Sequence, residues 1–424
     1  MTWTLVALPV ALLLLGFPIY VTLLAASAVT LMLFVDVPLA LLHQTMLGSV
    51  DSFSLMAIPF FLFAGELMSR GGISLRIVNW VLSLIGGVRG SLGLTTVATC
   101  TLFGTISGSG PATVAAVGRL MHGPLRDGGY DPRFTAGLLV TSGGIATLIP
   151  PSIALILYGA AAEQAINLLF IAAFLPGLLL ALLMAIYVYA AAARRGIGGT
   201  QPFHWAEFRR ATRDGFWALL MPVIILGGIY TGVFSPTESA GIAALYAIVV
   251  TMFIYRMVDL RQLWEIAANS MYLTAQVFII IAAAGVYAWI LTVSGIPQAL
   301  VAVFDGLDMP PWAVLLLINV FLLVVGCLID PASAILVLTP LLVPIAKHLG
   351  VDPIHFGIIM AMNIEIGLFT PPFGVNIFVA QATFNVKLRD IYVGILPFLG
   401  VNLVALMIVT YWPDLSLWLV RLIG

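Results

Sequence analysis

Charged residues are scarce in this sequence. Asp, Glu, Lys and Arg make up 8% of the 424 residues, whereas a soluble domain carries about 25%. No stretch has the polarity of a soluble domain, and the formal net charge of −1 provides no basic surface for nucleic acid. The scarcity of charge therefore argues against a soluble enzyme and against a nucleic-acid partner.

Motifs for cofactor and nucleophile chemistry are also missing. The chain has no glycine-rich nucleotide loop, no metal-ligand spacing among its five His residues, and no arrangement of nucleophile, base and acid. Its two cysteines, Cys100 and Cys327, lie in apolar segments and are expected to be reduced core residues. These absences argue against an ATPase or an intramembrane hydrolase, and we expect no cofactor.

Apolar runs of about 20 residues, long enough to cross the hydrocarbon core, recur along the whole chain, which is 62% hydrophobic. This pattern predicts an all-α polytopic membrane protein. The first run, residues 5–35, lacks the features of a cleaved signal peptide. It is too long for one straight span, so we expect a single retained helix bent at Gly16-Phe17-Pro18.

One pattern occurs twice. Residues 130–159 and 351–380 align without a gap, so that Asp131-Pro132 matches Asp352-Pro353 and Pro150-Pro151 matches Pro371-Pro372. Both copies are apolar helices interrupted by Pro-Pro, which removes backbone donors and leaves carbonyl groups unpaired. The alignment predicts two broken helices, at 132–162 and 353–384.

A second pair of interruptions precedes the broken helices. Residues 90–122 are broken at Ser107–Pro111, and residues 311–347 are broken at Asp330-Pro331. Each half is about 15 residues, which is short for a span. We therefore expect two re-entrant helical hairpins.

The distribution of basic residues supports this topology. With the N-terminus cytoplasmic and the C-terminus periplasmic, 15 of the 17 Lys and Arg residues fall on the cytoplasmic side, all but Lys347 and Arg421. Reading either hairpin as a full span would spoil the segregation. The pattern predicts two inverted repeats, 1–214 and 236–424, joined by a linking span at 215–235, as in secondary transporters.

The four interruptions supply the candidate site. Free carbonyls and hydroxyls suit a hard cation, and half-helix N-termini suit an anionic substrate. The polar groups at these interruptions are Ser107, Ser109, Thr113, Thr147, Ser152, Asp330, Ser333, Asn363, Thr370 and Asn376. The alternative is that each Pro-Pro only kinks its helix and the hydroxyls bond back to the chain.

Three acidic residues need separate consideration. Asp330 can complete a cation site or cap the helix that begins at Pro331, and the two roles are compatible. Glu365 stands where the first repeat has Gly144 and can bind a proton, a cation or a neighbouring helix. Glu66 lies near the end of a span, where a solvated or interfacial role is expected.

An ordered set of motifs along the whole chain resembles the large membrane subunit of TRAP (tripartite ATP-independent periplasmic) transporters. The matching segments are Gly16-Phe17-Pro18, Ala64-Gly65-Glu66-Leu67-Met68, Gly108-Ser109-Gly110-Pro111-Ala112, Leu148-Ile149-Pro150-Pro151-Ser152, Phe174-Leu175-Pro176-Gly177, Asp330-Pro331 and Gly367-Leu368-Phe369-Thr370-Pro371-Pro372.

The resemblance implies import of an organic acid, such as a C4-dicarboxylate, sialic acid or a keto acid, across the bacterial inner membrane by a Na⁺-coupled elevator mechanism. It also implies two partners, a small four-helix membrane subunit and a periplasmic substrate-binding protein, and arm helices at 75–85 and 296–304.

By the same resemblance, substrate would contact Ser109, Thr113 and Asn376. The implied Na⁺ ligands are Ser107, Gly108, Gly110, Thr147, Pro150, Ser152, Asp330, Ser333, Gly367, Thr370 and Pro372. Two alternatives stay open at this point: a self-sufficient carboxylate or ion antiporter of a related inverted-repeat fold, and a non-transport membrane enzyme.

Overall fold

The computed structural model describes residues 2–34, 40–306 and 309–423, and this part of the chain contains helices and no strand. The helices of the first half are α1 (Thr2–Leu14), α2 (Ile19–Phe34), α3 (Ala40–Val50), α4 (Ala57–Arg70), α5 (Ile73–Ile85), α6 (Ser91–Ser107), α7 (Gly110–Asp127), α8 (Pro132–Leu148), α9 (Ile153–Ala162) and α10 (Ile166–Arg194). Those of the second half are α11 (Trp205–Tyr230), α12 (Pro236–Ile248), α13 (Leu260–Val293), α14 (Ile296–Gly306), α15 (Pro311–Gly326), α16 (Pro331–His348), α17 (Pro353–Gly367), α18 (Val375–Phe384), α19 (Leu388–Tyr411) and α20 (Asp414–Ile423).

Seven helical segments in the described ranges are long and apolar enough to cross a membrane. The pair α8 and α9, bent by 41° at its break, makes an eighth. A 3₁₀ turn, Phe53–Met56, leads into α4, and a π-helical turn, Val249–Ile254, extends α12. The prediction of an all-α polytopic membrane protein is confirmed.

The expected single bent span at residues 5–35 is wrong. The chain forms two short helices of 13 and 16 residues, α1 and α2, which pack against each other. Thr4 Oγ1 lies 2.8 Å from Thr30 Oγ1, so the segment folds back as a hairpin. Gly16 has a φ of +84°, a left-handed conformation that turns the chain where a bend was expected. Val35, the predicted end of this span, lies outside the described residues.

The other interruptions lie where the sequence predicts them. Helices α6 and α7 separate at Ser107–Gly110, and α15 and α16 separate between Gly326 and Pro331. The broken helices span 132–162 and 353–384, as expected, with Pro150-Pro151 and Pro371-Pro372 in the breaks. The predicted arms correspond to α5 and α14. The predicted boundary between residues 214 and 215 falls inside α11.

Matching helix caps start the two broken helices. The Asp131 carboxylate accepts hydrogen bonds from the backbone N–H groups of Arg133 and Phe134 at 2.8 and 3.2 Å. Asp352 accepts from Ile354 and His355 at 2.8 and 3.4 Å. Since the following proline has no N–H to satisfy, Asp-Pro is a favourable helix start. The repeated dipeptide thus has the same local function in both halves.

Each half of the chain packs one helix of its broken helix against the hairpin of the other half. Helix α9, the second part of the first broken helix, packs against α16 of the second hairpin, and α18 packs against α7 of the first hairpin. The first parts of the broken helices, α8 and α17, pack against their own hairpins and against each other. These eight helices therefore form one body in which each half covers the other.

Close backbone approach fixes α19 onto α8. Gly137 and Gly394 face each other, and a Cβ atom on Gly394 would overlap the carbonyl oxygen of Arg133. On the same helix, Gly400 has open space around its Cα. Glycine is therefore required at position 394 for packing and is not required at position 400.

We expect Gly394→Ala to destabilise the protein by more than about 2 kcal/mol, because the added methyl group forces α19 away from α8. Gly400→Ala is the matched control on the same helix, and we expect it to be neutral or stabilising by up to about 1 kcal/mol. Thermal unfolding of both purified variants in one detergent checks this. Equal melting temperatures would contradict the proposed contact.

Candidate functional site

The four interruptions meet at one cavity of about 480 Å³. Both hairpin breaks and both broken helices contribute to its wall, and α4 and α13 close the opposite side. Its lining residues from the four breaks include Ser107, Gly108, Ser109, Gly110, Thr147, Asp330, Leu368 and Val375. Segments more than 200 residues apart in sequence thus form a single site.

Four helix N-termini point their first turns at this cavity. Lining residues come from the first turns of α7 (Gly110–Ala112), α9 (Ile153, Ala154), α16 (Pro331, Ala332) and α18 (Val375). Each N-terminus carries unpaired N–H groups and the positive end of the helix dipole. These helix ends favour an anion, but the wall also carries the carboxylates of Asp330 and Glu66, and no basic side chain lines it among the described residues.

The first hairpin tip is held by hydroxyl groups. Ser107 Oγ lies 3.1 Å from Thr113 Oγ1, and Thr113 also donates to the carbonyl oxygen of Ser109 at 2.8 Å. Ser109 caps α7 by accepting from the Ala112 N–H at 3.5 Å. Ser107 and Ser109 line the cavity, whereas Thr113 is fully buried behind them.

The first Pro-Pro break lies against this tip. Thr147, at the end of α8, lines the cavity and donates to the carbonyl oxygen of Gly144 at 2.7 Å. Ser152 is buried, donates to the carbonyl oxygen of Thr147 and caps α9 by accepting from Leu155 N–H at 3.4 Å. Pro150 is buried between them.

Asp330 caps the second hairpin helix at the cavity wall. It accepts from the backbone N–H of Ser333 at 3.1 Å and from the Ser333 hydroxyl group. The capping role considered from the sequence is therefore present. It leaves lone pairs on both carboxylate oxygens for a further ligand, because each oxygen accepts more than one hydrogen bond or metal contact.

The second break contributes less side-chain polarity to the cavity. Gly367 packs against Gly326, and Thr370 donates to the carbonyl oxygen of Ile366 at 2.6 Å. Pro372 is exposed, and its carbonyl oxygen accepts from the Tyr392 hydroxyl group at 3.2 Å. Asn376 is fully buried and donates to the carbonyl oxygen of Val140 at 3.3 Å.

Sequence reasoning did not select two polar residues in the cavity wall. Glu66 of α4 lines the cavity and pairs with Arg70 at 2.7 Å, so it is not only an interfacial residue. Gln276 of α13 also lines the cavity. An amide in an otherwise apolar span was a visible signal for Gln276, but only the fold shows which face of α13 meets the hairpins.

The polar groups of the lining are mainly oxygen atoms. Hydroxyl, carbonyl and carboxylate oxygens surround the tips of both hairpins, and such oxygens are the preferred ligands of hard cations. Across the described ranges there is no cluster of three His, Cys, Asp or Glu residues that could hold a transition metal.

Comparison with known proteins agrees with this architecture. Residues 6–415 match the family described as "Tripartite ATP-independent periplasmic transporter, DctM component". The chain is 40% identical to the C4-dicarboxylate TRAP transporter large permease protein DctM of Pseudomonas aeruginosa, with 94% of this chain and 93% of the relative aligned. It is 38% identical to the ectoine/5-hydroxyectoine TRAP transporter large permease protein UehC of Ruegeria pomeroyi, covering 97% and 96%.

The fold also resembles a solved transporter structure. The YdaH transporter of Alcanivorax borkumensis superposes with a TM-score of 0.63 over 89% of this chain and 88% of that one. At 16% identity, this likeness concerns the fold alone.

We expect Gly108→Ala to distort the first tip, because Gly108 has a φ of +57° and its added Cβ atom would overlap the Pro151 carbonyl oxygen. Gly123→Ala, in open space on α7, is the matched control. In an uptake assay of an organic acid by this chain together with its small membrane subunit and substrate-binding protein, Gly108→Ala should lose most of the uptake. Gly123→Ala should retain it. Wild-type uptake by Gly108→Ala would contradict the tip contact.

Proposed function

Since the chain belongs to the DctM family of TRAP transporters, we propose that it is the large permease subunit that imports an organic acid across the bacterial inner membrane. The convergence of four helix N-termini on one cavity carries this proposal, because the positive end of a helix dipole attracts an anion. Its volume of about 480 Å³ is within the range of small-molecule sites, about 300–1,000 Å³.

The substrate class follows from the cavity and from the relatives together. The names of similar permeases refer to C4-dicarboxylates and to ectoine. A carboxylate group fits the N-terminus of α7, whose cap is the uncharged Ser109, whereas α16 is capped by the Asp330 carboxylate, which would repel it. Thr113 and Asn376, which the resemblance also implies as substrate contacts, are buried behind the cavity wall and would support the site from there.

We propose Na⁺ as the coupling ion. One position would lie between the first tip and the first break, where Gly108 lies against the Pro151 carbonyl oxygen and Ser152 contacts the carbonyl oxygen of Thr147; Ser107 is the hydroxyl group on the tip side. The other would lie between Asp330 and the second break: Ser333 contacts Asp330, and Gly367, three residues before Thr370, packs against Gly326 of the same hairpin. A cation at either position offsets the charge of an anionic substrate, so the two would bind cooperatively.

The packing supports an elevator motion. Helices α6–α9 and α15–α18 form one body, and the cavity lies between this body and the α4 and α13 walls. Helix α5 bridges α11 and α6, while α14 bridges α13 and α16. These two helices can act as arms that let the body, with α19 fixed to it, move against α4 and α13.

The family membership supports a tripartite system. We propose a small four-helix membrane subunit and a periplasmic substrate-binding protein as the partners of this chain. Exposed large apolar side chains such as Trp264, Tyr272 and Phe253 are available for lipid or for a membrane partner. The binding protein would select the substrate, and this chain would translocate it.

We expect the purified chain alone to show no substrate uptake in proteoliposomes, and the chain with its small subunit and binding protein to show Na⁺-dependent uptake. The reason is that delivery by the binding protein is needed to load the cavity. The measurement is uptake of radiolabelled acid at a fixed Na⁺ gradient. Uptake by the chain alone would favour the alternative, a self-sufficient carboxylate or ion antiporter.

We expect Asp330→Ala to weaken the dependence of uptake on Na⁺ concentration, raising the half-saturating Na⁺ concentration at least about tenfold, because a charge-assisted contact is lost. Asp330→Asn keeps a side chain that can cap α16 but removes the charge. Comparing it with Asp330→Ala therefore separates loss of the charge from loss of the cap. Asp390→Asn, in the exposed Arg133 ion pair, is the control. An unchanged Na⁺ titration for both Asp330 variants would remove Asp330 from the ion site.

A further inference from the structure

A further cavity lies outside the transport site, where the proposed arm helix α5 meets the start of α11. Its volume is about 340 Å³, within the range of about 300–1,000 Å³ of small-molecule sites. None of its lining residues belongs to the transport cavity. Its polar wall includes the charged residues Arg76, Glu207, Arg210 and Asp214 and the amides Asn79 and Gln201.

The four charged groups of this cavity are available to a ligand. No ion pair in the described part of the chain includes Arg76, Glu207, Arg210 or Asp214. Two guanidinium groups and two carboxylates together give the cavity wall no net charge. A ligand that complements this wall therefore carries both an anionic and a cationic group.

Arg76 is held in position at the cavity. Its guanidinium carbon lies 3.6 Å from the centre of the Tyr255 ring, and its Nη1 atom donates to the carbonyl oxygen of Gly72 at 3.0 Å. The Tyr255 hydroxyl group in turn donates to the carbonyl oxygen of Asp214 on α11 at 3.2 Å. A guanidinium group has five N–H donors, so Arg76 is oriented by these contacts and keeps donors for an anion.

The cavity lies at the level of the lipid headgroups. Helix α11 becomes apolar at Phe216, and Asp214 and Arg210 precede this residue by about 3 and about 9 Å along the helix. The polar layer on each side of the hydrocarbon core is about 5–8 Å thick, so these side chains reach it. Leu75 and Leu84 of α5 are exposed, as Phe216 is, and offer apolar surface to acyl chains.

Aromatic side chains mark the same level. Trp80 of α5 donates to the Thr212 hydroxyl group of α11 at 3.1 Å, and its ring centre lies 6.2 Å from that of Phe208. Phe203 and Trp205 pack against Phe208 and are 49% and 60% exposed. Because Trp and other amphipathic rings concentrate at membrane–water interfaces, the joint between α5 and α11 is expected to face lipid headgroups.

A zwitterionic headgroup with a primary ammonium group fits the wall better than other headgroups. Guanidinium groups such as Arg76 and Arg210 bind phosphate through charge-assisted hydrogen bonds. A primary ammonium group has three N–H donors for the Glu207 and Asp214 carboxylates. A choline headgroup lacks these donors, and an anionic headgroup would be repelled by the carboxylates.

From this geometry we propose that the cavity between α5 and α11 binds the headgroup of a phospholipid that carries a phosphate and a primary ammonium group, such as phosphatidylethanolamine. The phosphate contacts Arg76 and Arg210, and the ammonium group contacts Glu207 and Asp214. The bound lipid bridges the arm helix and α11. This site goes beyond the proposed transport of an organic acid, and its occupancy does not depend on that function.

Native mass spectrometry of the purified, full-length chain tests lipid binding. Delipidated protein is offered phosphatidylethanolamine, phosphatidylcholine or phosphatidylglycerol with the same acyl chains. We expect one phosphatidylethanolamine molecule to bind at least about tenfold more tightly than either of the other lipids, because it alone supplies a phosphate together with N–H donors on a cation. Equal binding of the three lipids, or tighter binding of phosphatidylglycerol, would overturn the proposal.

Variants that remove one charge locate the site. Arg210→Gln and Glu207→Gln should each weaken phosphatidylethanolamine binding about tenfold. Glu207→Gln should also strengthen phosphatidylglycerol binding, because the cavity wall becomes positively charged. Glu265→Gln, in the exposed ion pair with Arg261 at the start of α13, is the matched control and should leave binding unchanged. Wild-type binding by both cavity variants would show that Glu207 and Arg210 only pair with each other or with water, and would overturn the assignment.

Thermal unfolding gives a second readout. A ligand that binds the folded chain raises its melting temperature, so phosphatidylethanolamine should stabilise the wild type more than phosphatidylcholine does. This difference should be lost in Arg210→Gln, and an equal difference in both proteins would contradict the site. Neither measurement involves uptake, so their failure would leave the proposed function standing, and a failed uptake assay would leave this site standing.

Discussion

The rest of the structure depends on one constraint: a helix interrupted inside a membrane must find partners for the backbone groups that the interruption leaves unpaired. At three of the four interruptions, a polar side chain caps the helix that follows, namely Ser109, Ser152 and Asp330. At the fourth, Gly374 precedes α18 without a side-chain cap. Because lipid cannot satisfy these ends, they turn inward and meet at one cavity. The cavity thus forms because the backbone groups at the interrupted helix ends need polar partners inside the protein.

The two halves have the same framework and different functional groups. Ser109 and Asp330 occupy equivalent cap positions on α7 and α16, as Gly144 and Glu365 do on α8 and α17. The framework lets each broken helix pack against the hairpin of the other half. The unlike side chains place the Asp330 carboxylate in the second half of the cavity wall, at the position where the first half has the Ser109 hydroxyl group.

Local sequence signals predicted the broken helices accurately because their limits are set by residues with strong backbone preferences. Asp131-Pro132 and Asp352-Pro353 start helices, and Pro-Pro ends them. The N-terminal segment was less predictable, since Gly16 allows both a bend and a reversal. The contact between Thr4 and Thr30 is long-range, and hydropathy contains no information about it.

By itself, the sequence determined that this is an all-α membrane protein of the TRAP permease family with two matching sets of interrupted helices. Scarce charge, apolar length and the Pro-Pro dipeptides are local properties, and they suffice for the fold class; the family follows from the ordered motifs that resemble TRAP permeases. Only the tertiary structure decided that Glu66 and Gln276 join the cavity and that Glu365 lies against Gly144. Those relations depend on which helix faces meet, and packing across the two halves sets the faces.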